Sequence, residues 1–424
     1  MSEDRVFAKC AWRLIPFMGL LYLVNYIDRT NAGFAALTMN KDLDFSPAVF
    51  GFGASVFFLG YLLFQVPANA VLERAGARRT VFCIMAAWGA ISGATAFVEG
   101  PTSFYALRFL LGVAEAGFFP GMIFYLTLWF PKDYRTRFGA FFLCAIPLSG
   151  TIGAPLSALI LQMEGVGGLH GWQWMFLLEG LLATGLAMAV LKWLPDSPAR
   201  AGWLDEAEKK TIAARLAAEP AQESDLWRAL CDPRVLALCV AGFANGCSQY
   251  GTALWLPQIV SAMGFSNLAT GLVVALCYVV SMVAVIILGY STDRRGGRCG
   301  HAALVWLVAA AGYMTAILAP NNAIALVGLT LAVSGTLSAI GPFIMISPSF
   351  LRGAAAAGGI ALINTGVSFG GFAGPMVIGV LNERGGGYAS SMAMLAAALV
   401  CAACIVLALG RAMAPRAVNA AASA

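Results

Sequence analysis

The chain has 424 residues, 60% of them hydrophobic and 11% charged, with a formal net charge of +5 and a mean hydropathy of +0.80. Soluble domains carry about 25% charged residues. This composition therefore excludes a soluble enzyme or a soluble domain on a single anchor, and it points to a helical protein that crosses a membrane many times.

Apolar runs long enough for a span of about 20 residues recur along the whole chain. They predict twelve transmembrane helices at 14–37, 48–72, 79–98, 103–130, 138–162, 172–194, 235–262, 268–291, 301–318, 323–347, 354–381 and 388–410. The opening "MSEDRVFAKCAWR" is polar and lacks the short apolar core and small-residue site of a cleaved signal peptide. Of the 26 Lys and Arg, 22 fall on the side that holds the N-terminus and the even-numbered loops. Lys41 and Arg384 fall on the other side, and Arg29 and Arg108 lie inside spans. The bias places both termini in the cytoplasm of a cell whose inner membrane holds the chain. It also accounts for the net charge without a nucleic-acid partner. The ten cysteines lie mostly in apolar spans and read as small buried hydrophobes. No disulfide framework, metal cluster or cofactor motif is visible.

Residues 195–234 form the only long polar stretch and divide the chain into an N-terminal six-helix bundle (1–194), a linker, and a C-terminal six-helix bundle (235–424). In the linker, Asp205 suits the N-cap of a short amphipathic helix that lies along the membrane surface and ends at Pro220. The bundles repeat with an offset of 220: Glu73 with Asp293, Arg74 with Arg294, Gly76 with Gly296, Arg78 with Arg298, Gly150 with Gly370, Pro155 with Pro375, and Asn25 with Asn245. Parallel repeats of this kind occur in transporters that hold substrate between the halves near mid-membrane. In the repeated loop, glycine permits a tight turn. The neighbouring charges, Glu73, Arg74 and Arg78 in one half and Asp293 and Arg294 in the other, either form a gating latch or only fix topology.

Ionisable residues inside a span are expensive and mark functional sites by default. This chain places Asp28 and Arg29 in the first span, Arg108 and Glu115 in the fourth, and Glu179 in the sixth. Asp28 and Arg29 are consecutive and point about 100° apart, so one cannot neutralise the other. Arg29 shares a face with Asn25, and Arg108 with Glu115. The first four charges sum to zero. An added organic anion leaves an excess negative charge that one proton on a carboxylate removes. A guanidinium suits the anion because its planar fork matches a carboxylate, and His170 and His301 both lie in loops, which leaves Asp28 and Glu115 to carry protons. The alternative is a fixed ion-pair network that locks spans one and four together. Arg108 fits a structural partner, and Glu179, beside Trp172 and Trp174 at a span end, fits a structural role. Three further polar pairs at i, i+4 could line a cavity or bond between helices: Tyr61 with Gln65, Asn245 with Gln249, and Asn364 with Ser368. The G-x-S-x-G of "GVSFG" lies in a span with no intramembrane histidine to activate Ser368. Gly366, Gly370 and Gly374 suit close helix packing instead. No Walker A or H-E-x-x-H sequence supports ATP-driven or zinc chemistry.

The segments "YIDRTNAGFAALTMNKDL", "RFLLGVAEAGFFPGMIFYLTLWFP", "GWQWMFLLEGL" and "LINTGVSFGGFAGP" resemble signatures of the anion:cation symporter family of the major facilitator superfamily, over nearly the whole chain. The first of them is most similar to bacterial tartrate transporters. The resemblance implies an all-α fold of two six-helix bundles working as a monomer, and transport of an organic anion, often with protons. Tyr26 and Arg29 then fall at substrate positions, Asp28 and Glu115 at proton-linked positions, Arg108 at the partner of Glu115, and Tyr61 and Asn364 at further site positions. One departure is Glu73, where the wider superfamily usually has Asp. The expectation is a proton symporter importing tartrate or a similar hydroxy or sugar acid. Rival readings are an importer of aromatic acids of the phthalate or hydroxyphenylacetate type, and a receptor that binds its ligand without moving it.

Overall fold

The structure, a computed structural model, describes residues 3–218, 232–351 and 353–413, with the backbone alone at 69–70, 73–75, 136–143, 353–354 and 356–357. Every predicted span is a helix. The N-terminal half is built from α1 (Glu3–Asp42), α2 (Pro47–Ala75), α3 (Ala77–Ala94), α4 (Pro101–Glu115), α5 (Phe118–Trp129), α6 (Lys132–Ile160) and α7 (Gly171–Trp193). A short α8 (Glu206–Ala217) follows. The C-terminal half contains α9 (Pro233–Ser261), α10 (Asn267–Arg295), α11 (Arg298–Leu318), α12 (Asn322–Ser338), α13 (Ile340–Ile344), α14 (Gly353–Leu381) and α15 (Gly387–Met413).

Nine helical stretches among the described residues are long and apolar enough to cross a membrane, and one of them, Gly358–Met413, contains both α14 and α15. α9 and α6 complete the set of twelve spans. The fourth span breaks into α4 and α5 directly after Glu115. Pro120 explains the break, because it has no N–H for the carbonyl of residue 116 and its ring crowds that carbonyl. The tenth span likewise breaks near Ala339.

At 40 residues, α1 is roughly 60 Å long at 1.5 Å per residue, far more than a bilayer core of about 30 Å. Its projecting N-terminal end receives α8. Asp205 caps α8, accepting from the Glu208 N–H at 2.7 Å, as the sequence suggests. The helix does not lie free along a surface. Its Glu208 is buried and takes the Lys9 ammonium at 2.8 Å, while Arg215 reaches Glu3 at 3.0 Å and Arg13 stacks on Trp203. Pro220 and the linker to residue 231 lie outside the described residues.

The two halves meet through α1 with α9, α2 with α14, and α6 with α10. Glycines set these approaches. A Cβ on Gly33 would sit 2.6 Å from the Leu254 carbonyl oxygen, one on Gly51 2.7 Å from that of Pro375, and one on Gly271 2.8 Å from that of Ala154. Phe50 packs edge-on against Trp255 at 5.2 Å, and Phe58 meets Tyr250 at 4.4 Å. Beyond them, Glu383 accepts 2.9 Å bonds from Ser46 Oγ and the Ala48 N–H, so the C-terminal half caps the start of α2. These contacts lie toward the face that carries Lys41, His170 and Arg384, and the halves are closed there.

On that face, Glu164 accepts from the Gly171 N–H and from His170 Nδ1, each at 2.7 Å. Asp42 lies 3.3 Å from the same imidazole nitrogen and accepts from Trp172 Nε1. The ligand atoms of Asp42, Glu164 and His170 lie within 4.8 Å of one another, and these bonds account for the grouping as a loop clasp. The Glu164 hydrogen bond, with Asp42 behind it, holds His170 above its ordinary value. The Gly171 N–H, followed by His170, holds Glu164 below its own.

Two predictions follow from this packing. A Cβ at Gly112 would overlap the Phe57 backbone between α4 and α2, whereas Gly185 on α7 has nothing within 4 Å. Gly112→Ala is expected to lose about 1–3 kcal/mol through overpacking. Gly185→Ala should hold or gain up to about 1 kcal/mol. Thermal unfolding in detergent compares the two. The raised His170 adds stability that is complete below the ordinary histidine value and is lost as pH rises through the raised one. The melting temperature should therefore fall across that window, and His170→Gln should flatten that part of the profile.

Candidate functional site

The site is built on one buried ion pair. Asn25 and Arg29 lie one turn apart on α1 and face α4. Arg29 directs Nη2 at 2.8 Å and Nε at 3.2 Å to a single oxygen, Oε2 of Glu115, and Asn25 Nδ2 donates to the same oxygen at 2.8 Å. Oε1 of Glu115 has no partner. Arg29 is 7% exposed and Glu115 is fully buried. The guanidinium carbon lies 5.0 Å from the Tyr61 ring, 5.2 Å from Phe57 and 5.6 Å from Tyr26. Each contact is a cation–π interaction worth up to about 2 kcal/mol once water is excluded. Gly60 and Gly112 make this possible: the backbones of Phe109 and Phe57 leave no room for side chains there, and α2 brings its aromatic face onto α4.

Arg108 lies on the same face of α4, but it does not join the pair. It is 1% exposed, none of its three nitrogens has a hydrogen-bond partner, and its contact is the Phe57 ring at 5.2 Å. Seven residues of helix place Arg108 and Glu115 roughly 10 Å apart along the axis. Both guanidinium groups thus lie 5.2 Å from the Phe57 ring, one paired and one not.

Asp28 points away from Arg29, as consecutive helical residues must. It accepts from Trp88 Nε1 at 2.8 Å and Ser92 Oγ at 2.5 Å on α3, and from Asn31 Nδ2 at 3.4 Å. Asn31 also donates to Glu179 Oε2 of α7 at 2.6 Å. Gly89, Gly93 and Gly180 bring α3 and α7 together at this level.

Between the halves, a cavity is lined by Tyr26 and Thr30 of α1, Ser149 of α6, Gln249 and Tyr250 of α9, and Tyr278 of α10. Its volume is about 20 Å³, space for roughly one water, so the halves are drawn tightly around it. Arg29 does not itself line the cavity; the Tyr26 ring stands between them. Gln249 Nε2 crosses the interface to donate to Tyr26 Oη at 3.1 Å. Behind it, Asn245 accepts from Trp306 at 2.8 Å and lies 3.5 Å from Gln249. Ser248, Thr252, Thr336 and Tyr313 form a hydroxyl network on the C-terminal side of the cavity.

The structure therefore brings together Asn25, Tyr26, Arg29, Tyr61, Glu115, Asn245 and Gln249. Gln65, Asn364 and Ser368 are half-buried and do not border the cavity. The Gly366, Gly370 and Gly374 stripe beside Ser368 packs against the α9 backbone at Cys239, Phe243 and Cys247. In the repeated loops, Gly76 and Gly296 both take positive φ, 83° and 65°, and both return a helix-end bond, to Leu72 and Thr292. Arg78 Nε is buried without a partner, Asp293 is exposed, and Arg294 stacks on Tyr290. The side chains of Glu73 and Arg74 lie outside the described residues. Sequence reading missed Phe57, Tyr250, Thr30, Trp88, Ser92 and Asn31. Thr30 and Tyr250 each adjoin a residue it named, and Trp88 and Ser92 form an i, i+4 pair of the kind it sought elsewhere.

Comparison with known proteins agrees with this architecture. The model of the Major Facilitator Superfamily matches residues 18–360. A protein of Agrobacterium vitis named "Putative tartrate transporter" is 43% identical over 413 residues, covering 96% of this chain and 95% of its own. A "Quinolone resistance transporter" of Acinetobacter baumannii is 38% identical, with 93% and 92% covered. Among solved structures, the xylose transporter XylE of E. coli superposes with a TM-score of 0.71 at 15% identity, covering 94% of this chain and 98% of that one. A bacterial homologue of the human lysosomal transporter Spinster gives 0.75 at 14%, with 94% and 95% covered. With twelve helices in two halves around a central cavity and a family match over most of its length, the chain belongs to the Major Facilitator Superfamily and is a multi-pass membrane transporter, not an enzyme.

Proposed function

We propose that this transporter is a proton-coupled symporter of a small organic anion, tartrate or a similar hydroxy or sugar acid, working by alternating access as a monomer in the cell's inner membrane with both termini cytoplasmic. The observation that carries the reading is the fork of Arg29 on one oxygen of Glu115, behind a tyrosine that borders the cavity between the halves. Similarity to a protein named for tartrate, and the one-sided distribution of Lys and Arg, support the substrate class and the orientation.

The chemistry follows from the bonds. Arg29 is held by one carboxylate oxygen, and Glu115 Oε1 is left free to take a proton. Protonating Glu115 removes the charge that holds the guanidinium. Arg29 can then turn its fork to a substrate carboxylate, with Tyr26 and Gln249 moving aside. Anion and proton enter together because an unpaired guanidinium, or an extra negative charge, is costly in a water-poor site. Asp28 is the second carboxyl within the same bundle. The two halves, divided near residues 195–234, rock about this site. In that motion the Gly76 and Gly296 loops, with Glu73, Arg74, Arg78, Asp293 and Arg294, serve as the latch on the arginine-rich face. The rings of Tyr26, Tyr250 and Tyr278 around the cavity favour, as a second reading, an aromatic carboxylate as cargo.

Uptake of labelled tartrate into proteoliposomes under an inward proton gradient tests the proposal, with a labelled aromatic acid as the competing substrate; a receptor accumulates neither. Arg29→Lys, which keeps the charge but loses the fork, is expected to weaken substrate binding at least about tenfold, or about 1.4 kcal/mol. Unchanged affinity removes the guanidinium from the substrate's grip. Glu115→Gln should abolish gradient-driven accumulation while substrate exchange persists. Undiminished accumulation takes Glu115 off the proton's route.

A further inference from the structure

Among the described residues of the N-terminal half, three carboxyl groups and two guanidinium groups are buried: Asp28, Glu115 and Glu179 with Arg29 and Arg108. If all five were ionised, this buried cluster would carry one uncompensated negative charge, which is strongly disfavoured. One carboxyl must hold a proton, and the hydrogen bonds show which. Glu115 accepts three donors, two of them from Arg29. Asp28 accepts from Trp88, Ser92 and Asn31. Glu179 is 4% exposed and, among the described residues, accepts from Asn31 alone and has no partner for its Oε1. The one charged neighbour that acts on it is Asp28, a like charge. The helices packed against α7 at this level, α1 and α3, present to it Asn31 and the bare backbones of Gly89 and Gly93.

We infer that Glu179 holds a proton in this conformation, closed on the Lys41 face, in addition to the one Glu115 takes up with the anion, and that Asn31, bonded to both carboxyls, keeps it beside Asp28, to which it passes when that face reopens. The O–H bond at Glu179 breaks and one forms at Asp28, so the pair carries the same total charge before and after. Glu179 is a proton-holding residue and does not touch substrate. Its place in coupling rests on the symport reading above; its protonation in the closed form does not.

Infrared difference spectroscopy of the purified, folded protein at neutral pH reads the proton directly. The native chain is expected to show a carboxylic acid C=O band that shifts when the glutamate side-chain carboxyls are isotope-labelled, stays in place when the aspartate carboxyls are, and is removed by Glu179→Gln. A band untouched by Glu179→Gln, or no band, overturns the assignment. In proteoliposomes, Glu179→Gln keeps an acceptor for Asn31 and should lower gradient-driven uptake at least tenfold, with counterflow exchange within a few-fold of the native rate. Glu179→Asp should restore part of the gradient response. Native accumulation in Glu179→Gln overturns the coupling role. If the gradient drives no accumulation in the native chain, the symport reading fails and the coupling role fails with it, while the infrared result still decides where the proton sits.

Discussion

The structure depends on keeping charge balanced among buried side chains. Arg29 is tolerated because Glu115 and Asn25 meet its fork, and because three aromatic rings replace the water it gave up. That arrangement dictates its surroundings. Gly60 and Gly112 bring α2 against α4 so that Phe57 and Tyr61 reach the guanidinium. The break after Glu115 puts the carboxylate at the end of a helix, where the chain turns.

Balance also explains how the parts divide. Asp28 and Arg29 are neighbours in sequence and belong to separate networks, one facing α3 and α7 and the other facing α4. The first network is rich in uncharged donors, and the second holds the cations. In the proposed symport, a bound anion would change the sum in the second network, and protons would correct it in either. The cavity adjoins both through Tyr26 and Thr30, while the C-terminal half contributes hydroxyls, an amide and tyrosines but no buried charge among the described residues. The chemistry is asymmetric although the scaffold repeats: Asn25 bonds a carboxylate, and its counterpart Asn245 bonds a tryptophan.

The twelve helices were legible in the sequence because a bilayer demands apolar runs of fixed length, and the paired loop glycines because only a positive φ turns the chain so sharply. The ion pair was open in the sequence only as the alternative of a network locking spans one and four; the resemblance gave Glu115 to Arg108, whereas the structure gives it to Arg29. The failures have physical causes. Periodicity defines a face and does not say which neighbour the face meets, so of the three polar pairs expected on a cavity only Gln249 borders it. Arg108 and Glu115 share a face, yet the axial rise keeps them apart. Tryptophan and serine carry no charge, so the partners of Asp28 went unread, and Glu179 was taken for a span-end residue although it lies two turns inside α7. The helix after Asp205 was expected on a membrane surface, because nothing in the apolar pattern of α1 marks the projecting end that receives it.

The most direct test of the balance of charge is calorimetry of tartrate binding to the purified transporter in buffers of different ionisation enthalpy. The account predicts a binding heat that changes with the buffer in the sense of proton uptake by the protein. A heat independent of the buffer, with tartrate bound, would show that the anion enters without a proton and would contradict it.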